Sequence, residues 1–135
     1  MRRALSALLF AIFSLASLGC AEEREKRELE LLRKMQEQTP SFPGLERAGN
    51  EIVVTKSGKV SLSNAYKSKA EFTEIRQFYD HLLTPQGWVA EVPPASIFVG
   101  EQKYVYFKRG EYSIAIAQVT GEPNGFHIAF EWIAR

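Results

Sequence analysis

The chain has one cysteine, two histidines and two methionines in 135 residues, and each scarcity excludes something. A small exported domain held by disulfides carries an even set of cysteines, so packing alone must hold this fold. Metal centres draw three or four ligands from Cys, His and carboxylate side chains. With only His81 and His127 as imidazoles, such a site would lean on Glu111, Glu122 and Glu131, whose spacing asks for none, so no metal or other cofactor is expected. There is no Gly-x-Ser-x-Gly nucleophile elbow. Gly58, Gly100, Gly110, Gly121 and Gly125 stand singly at turns, which leaves no phosphate-cradling loop. Catalysis is therefore not expected, a pairing of His127 with Glu131 being the one acid–base candidate. Basic residues number 17 against 16 acidic, too even a balance to grip nucleic acid or an anionic bilayer.

What the chain does have begins at its N-terminal end. Arg2 and Arg3 precede an uncharged, mainly apolar stretch over residues 4–19, which closes on Ser17-Leu18-Gly19-Cys20 and is followed by charge at Glu22, Glu23 and Arg24. A membrane span needs about 20 apolar residues, and this stretch is shorter and includes Ser6, Ser14 and Ser17. An ordinary secretory signal, with small residues at its cleavage site, and a retained membrane anchor are the other two readings. The residues Ala16, Ser17, Leu18 and Gly19 before Cys20 resemble the lipobox of bacterial lipoprotein signals. That resemblance implies removal of residues 1–19 and attachment of lipid, palmitate included, to Cys20. It also implies a place in the cell envelope. In a Gram-negative host, Ala21 after the cysteine implies the outer membrane facing the periplasm, and in a Gram-positive host the outer leaflet of the single membrane. One acyl chain binds a bilayer only marginally, and the resemblance implies several on Cys20. Processing would leave 116 of the 135 residues, enough for one domain. Of the 17 basic residues, loss of Arg2 and Arg3 leaves 15 against 16 acidic.

Residues 20–44 read as the lipidated cysteine, a charged helical stalk and a proline-rich linker. Glu, Arg, Lys, Leu and Gln dominate residues 21–38 and all favour helix, with Glu30 and Lys34 spaced as an i, i+4 pair. Leu29, Leu32 and Met35 form one narrow apolar stripe. The expectation is a solvated spacer between membrane and domain. A short coiled-coil seam, or packing of the stripe on the domain, are the alternatives. Thr39-Pro40-Ser41-Phe42-Pro43-Gly44 stops the helix, because proline removes a backbone donor and pushes its predecessor out of helical geometry.

The globular domain occupies residues 45–135. Residues 51–55 and 59–66 read as a hairpin about Lys56-Ser57-Gly58, with Val60, Leu62, Asn64 and Tyr66 alternating with smaller residues. Ser68 stands three residues before Glu71, the spacing of a capping box. Phe72, Ile75, Phe78, Tyr79, Leu82 and Leu83 recur on one helical face, which predicts a helix over 69–83 stopped by Thr84-Pro85-Gln86-Gly87. Four extended segments follow, at 88–92, 102–108, 112–119 and 126–133, with Pro93-Pro94 breaking the first from the second. The order of hairpin, helix and β-meander predicts an α+β two-layer sandwich: one helix on a mainly antiparallel sheet of up to six strands, preceded by the charged helix.

Packing and chemistry then compete for the same residues. His81 lies about 120° from the centre of the apolar helical face and belongs on the polar flank, where Asp80 does not aim at it. His127 alternates with Phe126, Ile128, Phe130 and Trp132 and belongs on the opposite side of the sheet, near Glu131. Tyr104, Tyr106 and Lys108 share one side of their strand, and Val105 and Phe107 the other. The outer face of the last two strands carries Ala115, Ala117, Ala129 and Ile133 in place of charged residues. Such a weakly polar surface suits a contact with a partner protein. The expected function is a lipid-anchored extracytoplasmic binding or scaffolding module whose partner is an envelope protein. The alternative is a small-molecule or lipid-binding module with a pocket between helix and sheet near Tyr79, Trp88 and Trp132.

Overall fold

The structure is a computed structural model that describes residues 2–91 and 103–135, with side chains from residue 19 onward. Helix α1 runs Arg2–Gln38, followed by β1 (Glu46–Arg47), β2 (Ile52–Lys56), β3 (Lys59–Lys67), α2 (Phe72–Leu83), β4 (Val89–Glu91), β5 (Tyr104–Arg109), β6 (Tyr112–Gln118) and β7 (Gly125–Ile133). The predicted Pro93-Pro94 break lies outside the described residues. So do the predicted strand ends at Val92 and Gln102.

All seven strands join one antiparallel sheet in the order β1-β3-β7-β6-β5-β4, with β2 beside β1 along the same free side of β3. The fold is thus α+β with helices packed on an open antiparallel sheet. The two-residue β1 exceeds the six strands expected, because Glu46 and Arg47 carry no alternation of their own and pair only where β3 presents Lys67 and Tyr66.

Side-chain alternation sorts the sheet into two faces. Val60 and Leu62 of β3, Val105 and Phe107 of β5, Ile114 and Ile116 of β6, and Phe126, Ile128, Phe130 and Trp132 of β7 all lie in one buried cluster. Phe72, Ile75, Tyr79 and Leu83 of α2 close over it. Asn64 is the polar member of the inward row: its Oδ1 accepts a hydrogen bond from Arg47 Nη2, while Nδ2 finds no partner among the described residues.

Two local expectations are corrected. Helix α2 starts three residues later than predicted, and its capping box is Glu71 with Glu74, not Ser68 with Glu71. Ser68 has other work: its amide donates to the Asn124 carbonyl and its hydroxyl accepts from the Ala70 amide, which holds the chain in a turn before the helix. The larger correction concerns the stalk, which the sequence suggested was a solvated spacer. Leu32 is fully buried, and Leu29 and Met35 pack against the same core as α2. Its Glu28 Oε2 accepts from the Tyr112 hydroxyl at 2.6 Å, its Glu25 Oε1 accepts from the Gly58 amide at 3.3 Å, and its Arg33 pairs with Glu51. Three apolar residues suffice because the sheet supplies the rest of the contact. The sheet therefore carries two helices on its inner face instead of one.

Candidate functional site

Three regions deserve comparison: the outer sheet face, the aromatic trio, and the junction where α1 meets the sheet beside Cys20. On the outer face, cross-strand register assembles the small residues into a floor. Ala115 of β6 pairs directly with Ala129 of β7, which pairs with Ser63 of β3, which pairs with Ile52 of β2. One row along, Ala117 pairs with His127, and His127 with Ala65. Tyr106 and Tyr104 of β5 stand opposite Ala115 and Ala117 and border the floor on one side. Ile52 and Val54 of the edge strand, both exposed, border it on the other.

Three of the four residues singled out from sequence are thus brought together, half-buried, at the middle of this face. Ile133 is not. It pairs with Lys59 at the end of β7, beyond Glu131, and is 48% exposed. The residues that sequence reasoning missed are Ser63 and Ala65, whose alternation with Leu62 and Asn64 was visible but whose place beside β7 was not. Charge flanks the floor: Glu131, next to the Ala115–Ala129 row, pairs with Lys59 at 3.6 Å and accepts from the Ser61 hydroxyl at 3.4 Å. Tyr104 and Tyr106 pack edge to face with ring centres 5.6 Å apart, and the Lys108 ammonium lies 5.1 Å from the Tyr106 ring. Burial on this wall, with Glu131 and Tyr106 nearby, raises the Tyr104 phenol pKa.

The aromatic trio is dispersed: Tyr79 and Trp88 lie in the core, and Trp132 borders the small cleft beside Cys20. Tyr79, Trp88 and Trp132 are each no more than 3% exposed and engage separate neighbours. The Tyr79 hydroxyl accepts from the Phe42 amide, and burial pushes its pKa up. Trp88 lies under the Arg109 guanidinium at 4.5 Å, and Trp132 under Arg24 at 4.8 Å. Rings of this size in so small a core fill it instead of lining a space. An open cleft of about 690 Å³ does occur elsewhere, between Phe42, Glu46, Lys67, Ser68, Lys69 and Glu74.

The junction is the most densely bonded of the three. Glu111 follows Gly110, whose φ of +63° fits the first position of a two-residue hairpin loop, a left-handed conformation that glycine adopts at no steric cost. Its carboxylate there accepts from Trp132 Nε1 at 3.1 Å and from the Arg135 amide at 3.2 Å, and Arg24 lies 3.8 Å away. These hydrogen bonds, the Trp132 bond first, hold the Glu111 pKa below the ordinary carboxylate value. Cys20 is exposed at this end. It borders a shallow cleft of about 280 Å³ with Ala21, Arg24, Glu25, Gly58, Trp132 and Ala134.

The two histidines lie on different elements, His127 half-buried on the outer face between Ala117 and Ala65. His81 is exposed on α2, while its neighbour Asp80 pairs with Arg76 at 3.7 Å. No group of three His, Cys, Asp or Glu side chains suited to a metal ion occurs among the described residues, and none of the described helices is long and apolar enough to cross a membrane. Compared with protein-family models, with curated proteins and with solved structures, the chain matches none.

Proposed function

We propose that this protein is a lipid-anchored, non-enzymatic module of the bacterial cell envelope that binds or positions a neighbouring protein through the outer face of its sheet. The observation that carries the reading is the contrast between a filled inner face and a floor of Ala115, Ala117, Ala129, Ser63 and Ala65 bordered by tyrosines and exposed aliphatic residues. Small side chains let another surface approach the backbone closely, and tyrosines at the margin supply large contact area with a hydrogen-bonding tip. His127 sits within this floor between Ala117 and Ala65, and the small residues around it favour contact with another surface as its use.

Two experiments test the two halves of the reading. Labelled palmitate should enter the wild type and be lost, together with membrane association, in Cys20→Ala; an unlabelled, freely soluble wild type overturns the anchor. Lysine at positions 115, 117 and 129 together should abolish crosslinks to envelope proteins while leaving the anchor intact; crosslinks unchanged in that variant overturn the face as an interface. The small-molecule alternative is weaker at Tyr79 and Trp88, which fill the core, than at Trp132, which borders the cleft beside Cys20. It retains the cleft beside Lys67 and Lys69, where a thermal shift with envelope lipid extract would support it.

A further inference from the structure

The outer face differs from side to side as well as from the inner face. Large side chains, Tyr104 and Tyr106, stand on β5, and small ones, Ser63 and Ala65, stand on β3. The two columns flank the central pair β6 and β7, one on each side. Two copies of such a face can meet about a two-fold axis across the strands or about one along them. The axis across the strands lays each column on itself, so that tyrosine meets tyrosine and a gap opens over β3. The axis along the strands, passing between β6 and β7, lays β5 of one copy on β3 of the other. Tyr106 then stands over Ser63 of the second copy and Tyr104 over Ala65, because each pair shares a row of the sheet, and His127 stands over Ala117.

Charge fits as well as size. In the next row Lys108 comes over Ser61 of the second copy, whose hydroxyl holds the Glu131 carboxylate. Lys108 and Glu131 already pair with Glu91 and Lys59 of their own chain, so the contact sets opposite charges beside two existing pairs, twice by symmetry. The cysteines select the same axis. Cys20 borders Gly58 and Ala134 at one end of the strands, and rotation about the strand direction leaves that end in place. Rotation about the axis across the strands sends the two cysteines to opposite ends. So does antiparallel pairing of two β2 edges through the exposed Ile52, Val53 and Val54. Two lipid anchors held in one membrane are compatible with the axis along the strands.

We infer that the protein contacted by the outer face is a second copy of this chain, seated face to face on the first about a two-fold axis along the strands. The inference rests on the proposed use of that face and names its occupant. Sheets pack in this aligned way about 10 Å apart and about 30° crossed. Strands β2 to β5 and three outward rows span about 20 Å by 20 Å, or about 400 Å² per copy, against about 800 Å² per partner in a standard interface. A contact of that size is weak between free chains. Anchors that confine both copies to one membrane raise their effective concentration and make up the difference.

The test is made on the full chain in its own membranes, with Ala115→Cys treated with a short bis-maleimide. The expected product has twice the mass of the chain and contains only its peptides by mass spectrometry, whereas Lys69→Cys, at the far end of the sheet, gives none. An adduct with a different protein overturns the second copy and leaves the outer face as an interface. No adduct at any mass overturns the interface itself, and dimer in equal yield from Lys69→Cys shows random collision and overturns the inference. The fit of large over small is tested separately in the Ala115→Cys background. Tyr106→Ala should lower the yield of dimer about ten-fold, as for a central aromatic contact, and Tyr106→Phe should restore most of it. An unchanged yield in Tyr106→Ala overturns the arrangement.

Discussion

The inner and outer faces of the sheet are built from the same strands and differ only in which alternate residue points which way. On β7, Phe126, Ile128, Phe130 and Trp132 point inward and are at most 4% exposed, whereas His127, Ala129 and Glu131 point outward and are half-buried. The inner face buries whole aromatic rings, and each fully buried large apolar side chain stabilises the fold by about 1.5–3 kcal/mol. The outer face carries small, half-buried residues bordered by Tyr104 and Tyr106 and buries no comparable set of large apolar side chains. Stability resides on the inner side and the proposed contact on the outer, so the two can be broken separately.

The largest effect should come from the inner face, at its least expected member. Leu32→Ala should lower stability by about 2–5 kcal/mol, as for other large-to-small changes in a packed core. Urea denaturation followed by circular dichroism measures it; a change within about 0.5 kcal/mol, as on a solvated surface, would return the helix to the status of a spacer.

A smaller effect should appear where α1 is pinned by a hydrogen bond. Tyr112→Phe removes the bond to Glu28 and should cost about 1 kcal/mol at neutral pH. Burial first, and then the Glu28 carboxylate, push the Tyr112 pKa from 10.0 up to about 12. A raised pKa stabilises the neutral form in the folded state. This contribution is therefore complete below pH 10 and is lost as pH rises through about 12. Stability of the wild type should fall across that window more steeply than that of Tyr112→Phe; parallel profiles would mean that the phenol is not coupled to folding.

The smallest effect belongs to the outer face. Ala115→Lys should change stability by no more than about 0.5 kcal/mol, because a flexible lysine on an open sheet face keeps its ammonium in water. A loss of several kcal/mol in the same urea assay would show that the floor is part of the core and would break the separation of the two faces.

Much of this contrast was legible in the residues. Strict alternation in β3, β6 and β7 told inward from outward side chains, and the broad apolar face of α2 told where the helix would lie. The misreadings share one physical origin: they depended on partners distant in sequence. Leu29, Leu32 and Met35 look too sparse to bury a helix when the helix is considered alone, and only the sheet opposite makes them sufficient. Ser68 has the spacing of a helix cap, yet Asn124, 56 positions along the chain, takes up its amide and delays the helix. Tyr79, Trp88 and Trp132 look like a ligand box as a list of aromatics, but the fold places each against a different neighbour.

By itself the sequence determined the α+β class, the approximate positions of α2 and of six of the strands, and, with its single cysteine, that no disulfide forms within the chain. These follow from periodicity and composition, which act over a few residues at a time. Tertiary structure alone decided that β7 lies between β3 and β6, so that Ala129 meets Ala115 and Ser63, and that α1 joins the core instead of standing off from it. It also decided that the large Tyr104 and Tyr106 stand across β6 and β7 from the small Ser63 and Ala65. Strand order and helix docking are set by which apolar surfaces can cover one another in three dimensions, and charge follows the backbone wherever that packing carries it.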